Sequence, residues 1–343
     1  MVGRAEAGDL NLTDPMTHAL NTDKGHVIGA MYNHALRVCR VADQSNQPRE
    51  AAWKTLKDAF DAEIGKCRNG NFEFSTLSAS YIANLDYLSR SWLTENVGRL
   101  FPARDYPNNF KVAIGGLAYA GVSRSIYQLL ASHNVFAEAL AANLEDKNGR
   151  ERVIKWVGLA YLWNDEQLDS AIVQAIFAGG IDDVEKLAEL FWEVRRDELT
   201  DEQVEKVLAF WERCLSWNKG SGEASDQFMA RLSHLSPYIK ELNERTRSLL
   251  MAVMPYVHTD YGTDHMVEEL IRFVDTDPPG VAALLERMLD SSAPNFDLDD
   301  KLKKLIEKLA NLGLRAEAIR CAEKIRRTLP GMLDLYKKLV ASG

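Results

Sequence analysis

The sequence predicts an all-α chain, an irregular α-solenoid of stacked antiparallel helical hairpins, and three observations lead there. Apolar residues recur at three-to-four spacing along most of the 343 residues. Sustained alternation, the mark of a half-buried strand, occurs almost nowhere. Gly (21) and Pro (10) are few, and several stand where a helix should begin or end.

Taken in order, the first stripe runs from Lys24, with Ile28, Met31, Ala35 and Cys39 on one face. Asn21 to Asp23 supply the side-chain acceptors that start such a helix. Phe72 to Phe74 is too brief for a strand and serves as a lead-in to a helix. Ile154, Val157 and Tyr161 repeat the spacing, as do Val184, Leu187, Phe191 and Val194, then Val204, Leu208, Trp211 and Leu215. The last third continues it with Val267, Leu270, Ile271 and Val274; Val281, Leu284, Leu285 and Met288; and Leu302, Leu305, Ile306 and Leu309. Each stripe needs a neighbour to cover it. Asp14 before Pro15, Asp277 before Pro278, Gly313 after Leu312 and Gly331 after Pro330 punctuate the pattern. Short connections make sequence neighbours pack as antiparallel hairpins. No strict repeat is present: the tetratricopeptide and ankyrin patterns are both missing.

Residues 1–13 are expected to be a disordered leader, 14–218 an N-terminal helical array, and 219–343 a C-terminal array continuous with it. The softest stretch is Trp217 to Ser225, where Gly and Ser displace the apolar stripe, and a second lies at Asp146 to Gly149.

Composition restricts function. A net charge of −9 opposes general affinity for nucleic acid or anionic lipid, whose binding relies on cations. The longest uncharged run, Ser125 to Ala137, is too short to cross a bilayer, and the first ten residues lack the apolar core of a signal peptide; a cytoplasmic location is expected. Cys39, Cys67, Cys214 and Cys321 form no CxxC pair and read as reduced, buried thiols. Between Asp299 and Lys338 eleven Lys or Arg face six Asp or Glu, which reads as a solvated cationic face, or as a site for an acidic protein or nucleic acid.

No motif specifies a reaction, and no catalytic, cofactor or metal residue is assigned. IGGLAYAG, Ile114 to Gly121, lacks the spacing and preceding strand of a dinucleotide fingerprint and reads as close helix packing. His258, Asp260, Asp264 and His265 have residue types that suit zinc, yet a separation of seven across Gly262 fixes no geometry; an interhelix turn with a capping aspartate is the plainer reading. His18, His26 and His34 lie eight apart on the first helices and read as hydrogen-bonded or exposed. Asp165 with Glu166, Asp182 with Asp183 and Asp299 with Asp300 read as helix starts complementing the helix dipole. Most of the seven tryptophans read as core, with one or two available as anchors for a partner.

Four stretches together resemble the helical C-terminal region of large bacterial antiphage defence proteins: Asp14 to Arg40, Phe74 to Pro102, Phe210 to Cys214, and Asp275 to Leu289. Such proteins carry a sirtuin-like or STAND-type P-loop NTPase region ahead of that helical region. Near Asn218 to Ser225 the present chain looks shortened against the pattern. The resemblance implies a sensor module of a larger defence protein that recognises a viral protein, with a phage structural protein as partner and the enzymatic part elsewhere in the parent chain. It transfers no functional residue. The alternatives are a free-standing scaffold or adaptor for a host protein, and a metal-dependent hydrolase built on the 258–265 loop.

Overall fold

The computed structural model describes residues 10–221, 225–260, 262–294, 297–329 and 331–341. Twenty-one α-helices and four short 3-10 turns make up the regular structure, with no strand among the described residues. None of the described helices is long and apolar enough to cross a membrane. The chain forms two compact units, Met1–Gly179 and Gly180–Gly343. This division falls earlier than the boundary expected at 218/219, where one helix continues through to Ser221 and residues 222–224 lie outside the described set. Of the expected leader, residues 1–9 are also outside it, while Asn11 accepts hydrogen bonds from the backbone N–H groups of Thr13 and Asp14, both at 3.0 Å.

The first unit contains α1 (Pro15–Asn21), α2 (Asp23–Gln44), α3 (Arg49–Lys54), α4 (Lys57–Gly65), α5 (Phe72–Ser80) and α6 (Ile82–Leu88). It continues with α7 (Arg90–Leu100), α8 (Pro107–Leu117), α9 (Arg124–Ser132), α10 (Val135–Ala141), α11 (Lys147–Leu162) and α12 (Ala171–Ala178). Local chemistry sets the starts. Asp14 accepts from Thr17 N–H ahead of Pro15, and Thr22 accepts from Gly25 N–H to open α2. Asp146 does the same for α11, so the stretch expected to be soft is a capped helix start, with Asp146 only 6% exposed.

An aromatic cluster forms the core of this unit. Tyr32 meets Phe60 edge-on at 5.1 Å, Trp53 lies 4.9 Å from Phe60, and Trp92 lies 5.9 Å from it. Two of its polar atoms find partners: the Tyr32 hydroxyl donates to Ser78 Oγ at 2.7 Å, and Trp92 Nε1–H donates to Asp61 at 2.7 Å. Beside the cluster, α5 and α8 approach so closely that a Cβ on Gly116 would lie 2.0 Å from the Thr76 carbonyl oxygen. The close packing read from the glycine pair is therefore present, and it is what the pair is for.

The second unit contains α13 (Ile181–Glu193), α14 (Asp201–Ser221), α15 (Asp226–Ser233), α16 (Glu244–Val253) and α17 (Thr263–Phe273). After them come α18 (Pro278–Ser291), α19 (Lys301–Asn311), α20 (Arg315–Ile325) and α21 (Met332–Ala341). Trp211, Phe191, Phe210 and Phe228 are fully buried here, and the Tyr238 hydroxyl donates to the Phe191 carbonyl at 2.5 Å. Asp277 caps α18 through Gly280 N–H, and Gly313 takes the left-handed φ of +92° that ends α19. The 3-10 turn Met254–Asp260 packs on α15 and α18, α19 packs on α20, and α20 on α21.

Candidate functional site

Of the loop with zinc-like residue types, the side chain of Asp260 lies outside the described residues, and of the described members His258, Asp264 and His265 the last two are turned to separate partners. His258 is exposed on the 3-10 turn, and α17 begins at Thr263. Asp264 is engaged by Lys301 Nζ at 3.1 Å, and the same ammonium reaches Glu268 at 2.5 Å. That hydrogen bond holds the Glu268 carboxyl below its usual range. The His265 ring lies 5.3 Å from Trp192 and 6.4 Å from His234. Arg195 covers Trp192 with its guanidinium 3.2 Å from the ring centroid, and burial lowers its pKa. The segment thus packs an indole among cationic and imidazole groups, a cluster that sequence spacing gave no means to see. Among the described residues, no three His, Cys, Asp or Glu side chains are placed to hold a metal ion.

The remaining singled-out residues separate in the same way. His18 is half-buried, while His26 and His34 are exposed. Asp182 and Asp183 occupy the first turn of α13 as expected. Asp165 and Glu166 instead follow the end of α11. Arg124 and Gln128 bind Asp165 at 2.7 and 2.9 Å, and the Tyr127 hydroxyl donates to Glu166 at 2.8 Å. Asp299 and Asp300 precede α19 with left-handed backbone, but its capping acceptor is Asp297, which receives the N–H groups of Leu302 and Lys303 at 2.8 and 3.0 Å.

All four cysteines are buried, and desolvation pushes up each thiol, that of Cys321 to about 12. Much of the basic run is bonded to earlier helices. Lys308 meets Asp275 at 2.6 Å, Arg320 meets Glu286 at 2.9 Å, and Lys324 bonds Asp290. Trp53, Trp92, Trp156 and Trp211 are core, and the other three tryptophans are half-buried.

Among the described residues, one groove in each unit combines an apolar lining with a fixed charge. The groove in the first unit, about 550 Å³, lies between α10 and α12. Ala137, Ala141, Ala171, Ala175 and Ala178 line it and are exposed, with Phe136 and Leu140 buried beneath. Arg150 and Glu166 contribute charge, and each is fixed from within: Arg150 donates to the Leu140 carbonyl at 2.9 Å, and Tyr127 donates to Glu166. Burial, then the Glu166 carboxylate, raises the Tyr127 pKa well above its ordinary value, so it stays a donor.

The groove in the second unit, about 560 Å³, includes Leu215, Met229, Leu249 and Ala252 in its lining. Arg245 stands at its side, held charged by Glu212 at 2.6 Å and Glu205 at 2.6 Å. Both grooves offer an apolar floor with a preset charge, an arrangement that accepts a side chain and fixes its orientation. The lining of the first contains no Ser, Thr, Cys, His or Asp. Comparison with protein-family models, with curated proteins and with solved structures finds no match.

Proposed function

We propose that this chain is a protein-recognition module, an irregular α-solenoid of stacked helical hairpins that serves as the sensor part of a larger antiphage defence protein and binds a viral protein. The observation that carries the reading is where the charged groups go. Carboxylates and cations singled out as chemistry are bonded to one another across helices, as in Asp165 with Arg124 and Asp264 with Lys301, while apolar grooves with fixed charges are left open. Such surfaces bind by shape, with affinity concentrated in a few buried anchors. Packing of α19 on α20 and α20 on α21 supports hairpin stacking, and the four stretches resembling antiphage proteins support the choice of partner.

The function is binding without catalysis, with the effector chemistry in the parent protein. Coexpression with individual phage portal, terminase and tail proteins tests it. One of them is expected to copurify with the chain, and Ala175→Arg, which plants a charged side chain in the α10–α12 groove, is expected to weaken that complex at least tenfold. A panel that yields no complex contradicts the proposal.

A further inference from the structure

The chain contains two Asn-Gly dipeptides, Asn69–Gly70 and Asn148–Gly149, and the fold treats them oppositely. The first lies in the loop between α4 and α5. Asn69 is exposed with a left-handed φ of +58°. Among the described residues its side chain makes no hydrogen bond, and nothing accepts the Gly70 N–H. Gly70 is loosely packed, since an added Cβ would find its nearest neighbour, the Lys66 carbonyl oxygen, at 3.7 Å. Asn46, Asn71, Asn134 and Asn164 share the left-handed backbone, but Gln47, Phe72, Val135 and Asp165 follow them and set a side chain beside the amide nitrogen.

The second dipeptide is locked. Asn148 and Gly149 stand in the first turn of α11, where Asp146 accepts both of their N–H groups. Gly149 is buried, and an added Cβ would lie 3.2 Å from Ile114 Cγ2 and 3.3 Å from the Ile114 carbonyl oxygen. Its nitrogen can neither release its proton nor turn toward the Asn148 side chain without breaking the helix start.

An asparagine amide carbon is an electrophile within reach of the next backbone nitrogen, and glycine leaves that nitrogen least hindered. From the contrast between the two dipeptides we infer that Asn69 is a site of spontaneous covalent modification, deamidation through a succinimide with water as co-reactant. The Gly70 nitrogen gives its proton to solvent base and bonds to Asn69 Cγ. The bond from Cγ to the side-chain nitrogen then breaks, and that nitrogen takes a proton from solvent and leaves as ammonia. Water adds to one of the two carbonyl carbons of the ring and opens it, so that one water is consumed for each ammonia released. One opening yields aspartate, which keeps the left-handed turn and adds a negative charge. The other yields isoaspartate, in which the main chain runs through Cβ and Cγ and is one carbon longer. That carbon enters just ahead of Gly70, whose carbonyl accepts from Asn109 Nδ2 of α8 at 2.7 Å, and of Asn71, whose Nδ2 donates to the Glu63 carbonyl at 2.7 Å. The Asn71 carbonyl also accepts the N–H groups of Phe74 and Ser75 at the start of α5. Isoaspartate at 69 therefore loosens the entry to α5, and its free α-carboxylate is the group that an isoaspartyl O-methyltransferase esterifies.

Ageing the full chain at mildly alkaline pH, folded and in urea, with peptide mapping by mass spectrometry, tests the assignment. In the folded chain Asn69 is expected to convert at least tenfold faster than Asn148, because reaction at Asn148 waits for α11 to open locally. In urea the two rates should converge, since the dipeptides are then equivalent. Methyl transfer from labelled S-adenosylmethionine by a purified isoaspartyl methyltransferase should rise in step with the loss of Asn69. Gly70→Ala, for which the structure has room and circular dichroism should show unchanged helix content, is expected to slow the conversion at least tenfold. Equal rates at the two sites in the folded chain, a difference that persists in urea, loss of Asn69 without methyl acceptance, or a rate that Gly70→Ala leaves unchanged would each overturn the inference.

Discussion

Substituting Gly116 by alanine tests the packing of the first unit with a sign as well as a size. In a helix interior an alanine is ordinarily worth about 0.8–1 kcal/mol more than a glycine, so without tertiary constraint the change should stabilise. Here the added Cβ would lie 2.0 Å from the Thr76 carbonyl oxygen, 2.8 Å from its carbon and 3.0 Å from its Cα, where ordinary contact begins near 3.4 Å. All three are backbone atoms, so no side chain can swing away, and α5 and α8 must part by more than about 1 Å in an interior that is closely packed. Overpacking of this kind costs roughly 1–3 kcal/mol, enough to outweigh the gain in propensity. Gly98, exposed in α7 with nothing within 4 Å of its would-be Cβ, is the matched control. Urea denaturation followed by circular dichroism should show a lower midpoint for Gly116→Ala and an equal or higher one for Gly98→Ala. If both variants are stabilised, the contact between α5 and α8 is not the one described.

Asp146→Ala should cost about 1 kcal/mol through loss of the α11 cap, whereas Asp146→Asn should retain it. Burial raises the Asp146 carboxyl against the hydrogen bonds from Asn148 and Gly149, so the folded chain holds its proton more tightly than the unfolded chain does. The native chain should therefore gain stability relative to Asp146→Asn as pH falls through the folded pKa toward the ordinary carboxylate value, and lose that advantage above it, which paired melts at pH 4 to 7 would read. Ellman's reagent should react slowly with the native protein and modify all four cysteines once it is unfolded; fast native labelling would show that a thiol is open. Glu286→Ala removes the shared partner of Arg320 and Lys324, and because the pairs are partly exposed it should lower stability by about 1 kcal/mol or less, with a smaller difference in high salt.

The helices were legible because each carries its own period and punctuation. Ile28, Met31, Ala35 and Cys39 were read as one face, of which Ile28, Ala35 and Cys39 are buried and Met31 is half-buried, and Asp14, Asp277 and Gly313 act at helix ends as their chemistry dictates. Failures arose where a local signal had a distant partner. The Asp146 to Gly149 stretch looked soft because its composition suits a turn, but an aspartate before a helix is also a cap. Of the stretch Trp217 to Ser225 read as soft, the residues through Ser221 still belong to α14, α15 begins just beyond it at Asp226, and residues 222–224 lie outside the described set. Asp165 and Glu166 looked like a helix start and instead serve Arg124 and Tyr127, about forty residues earlier. Nothing in a one-dimensional pattern could place Trp192 beside His234 and His265, or bring α10 and α12 together around a groove. The signal nearest to the groove was the run of small residues at Ala171, Ala175 and Ala178, three to four apart on one face of α12.

Hydrogen exchange on the chain alone and in complex with a copurified phage protein tests the central claim most directly, because it reports where a partner lies without assuming a residue. The account predicts new protection in α10 and α12, around Ala137 and Ala175, or in α14 and α16 around Leu215 and Leu249, with the buried α5 and α8 unchanged. Protection confined to segments away from both grooves would contradict it.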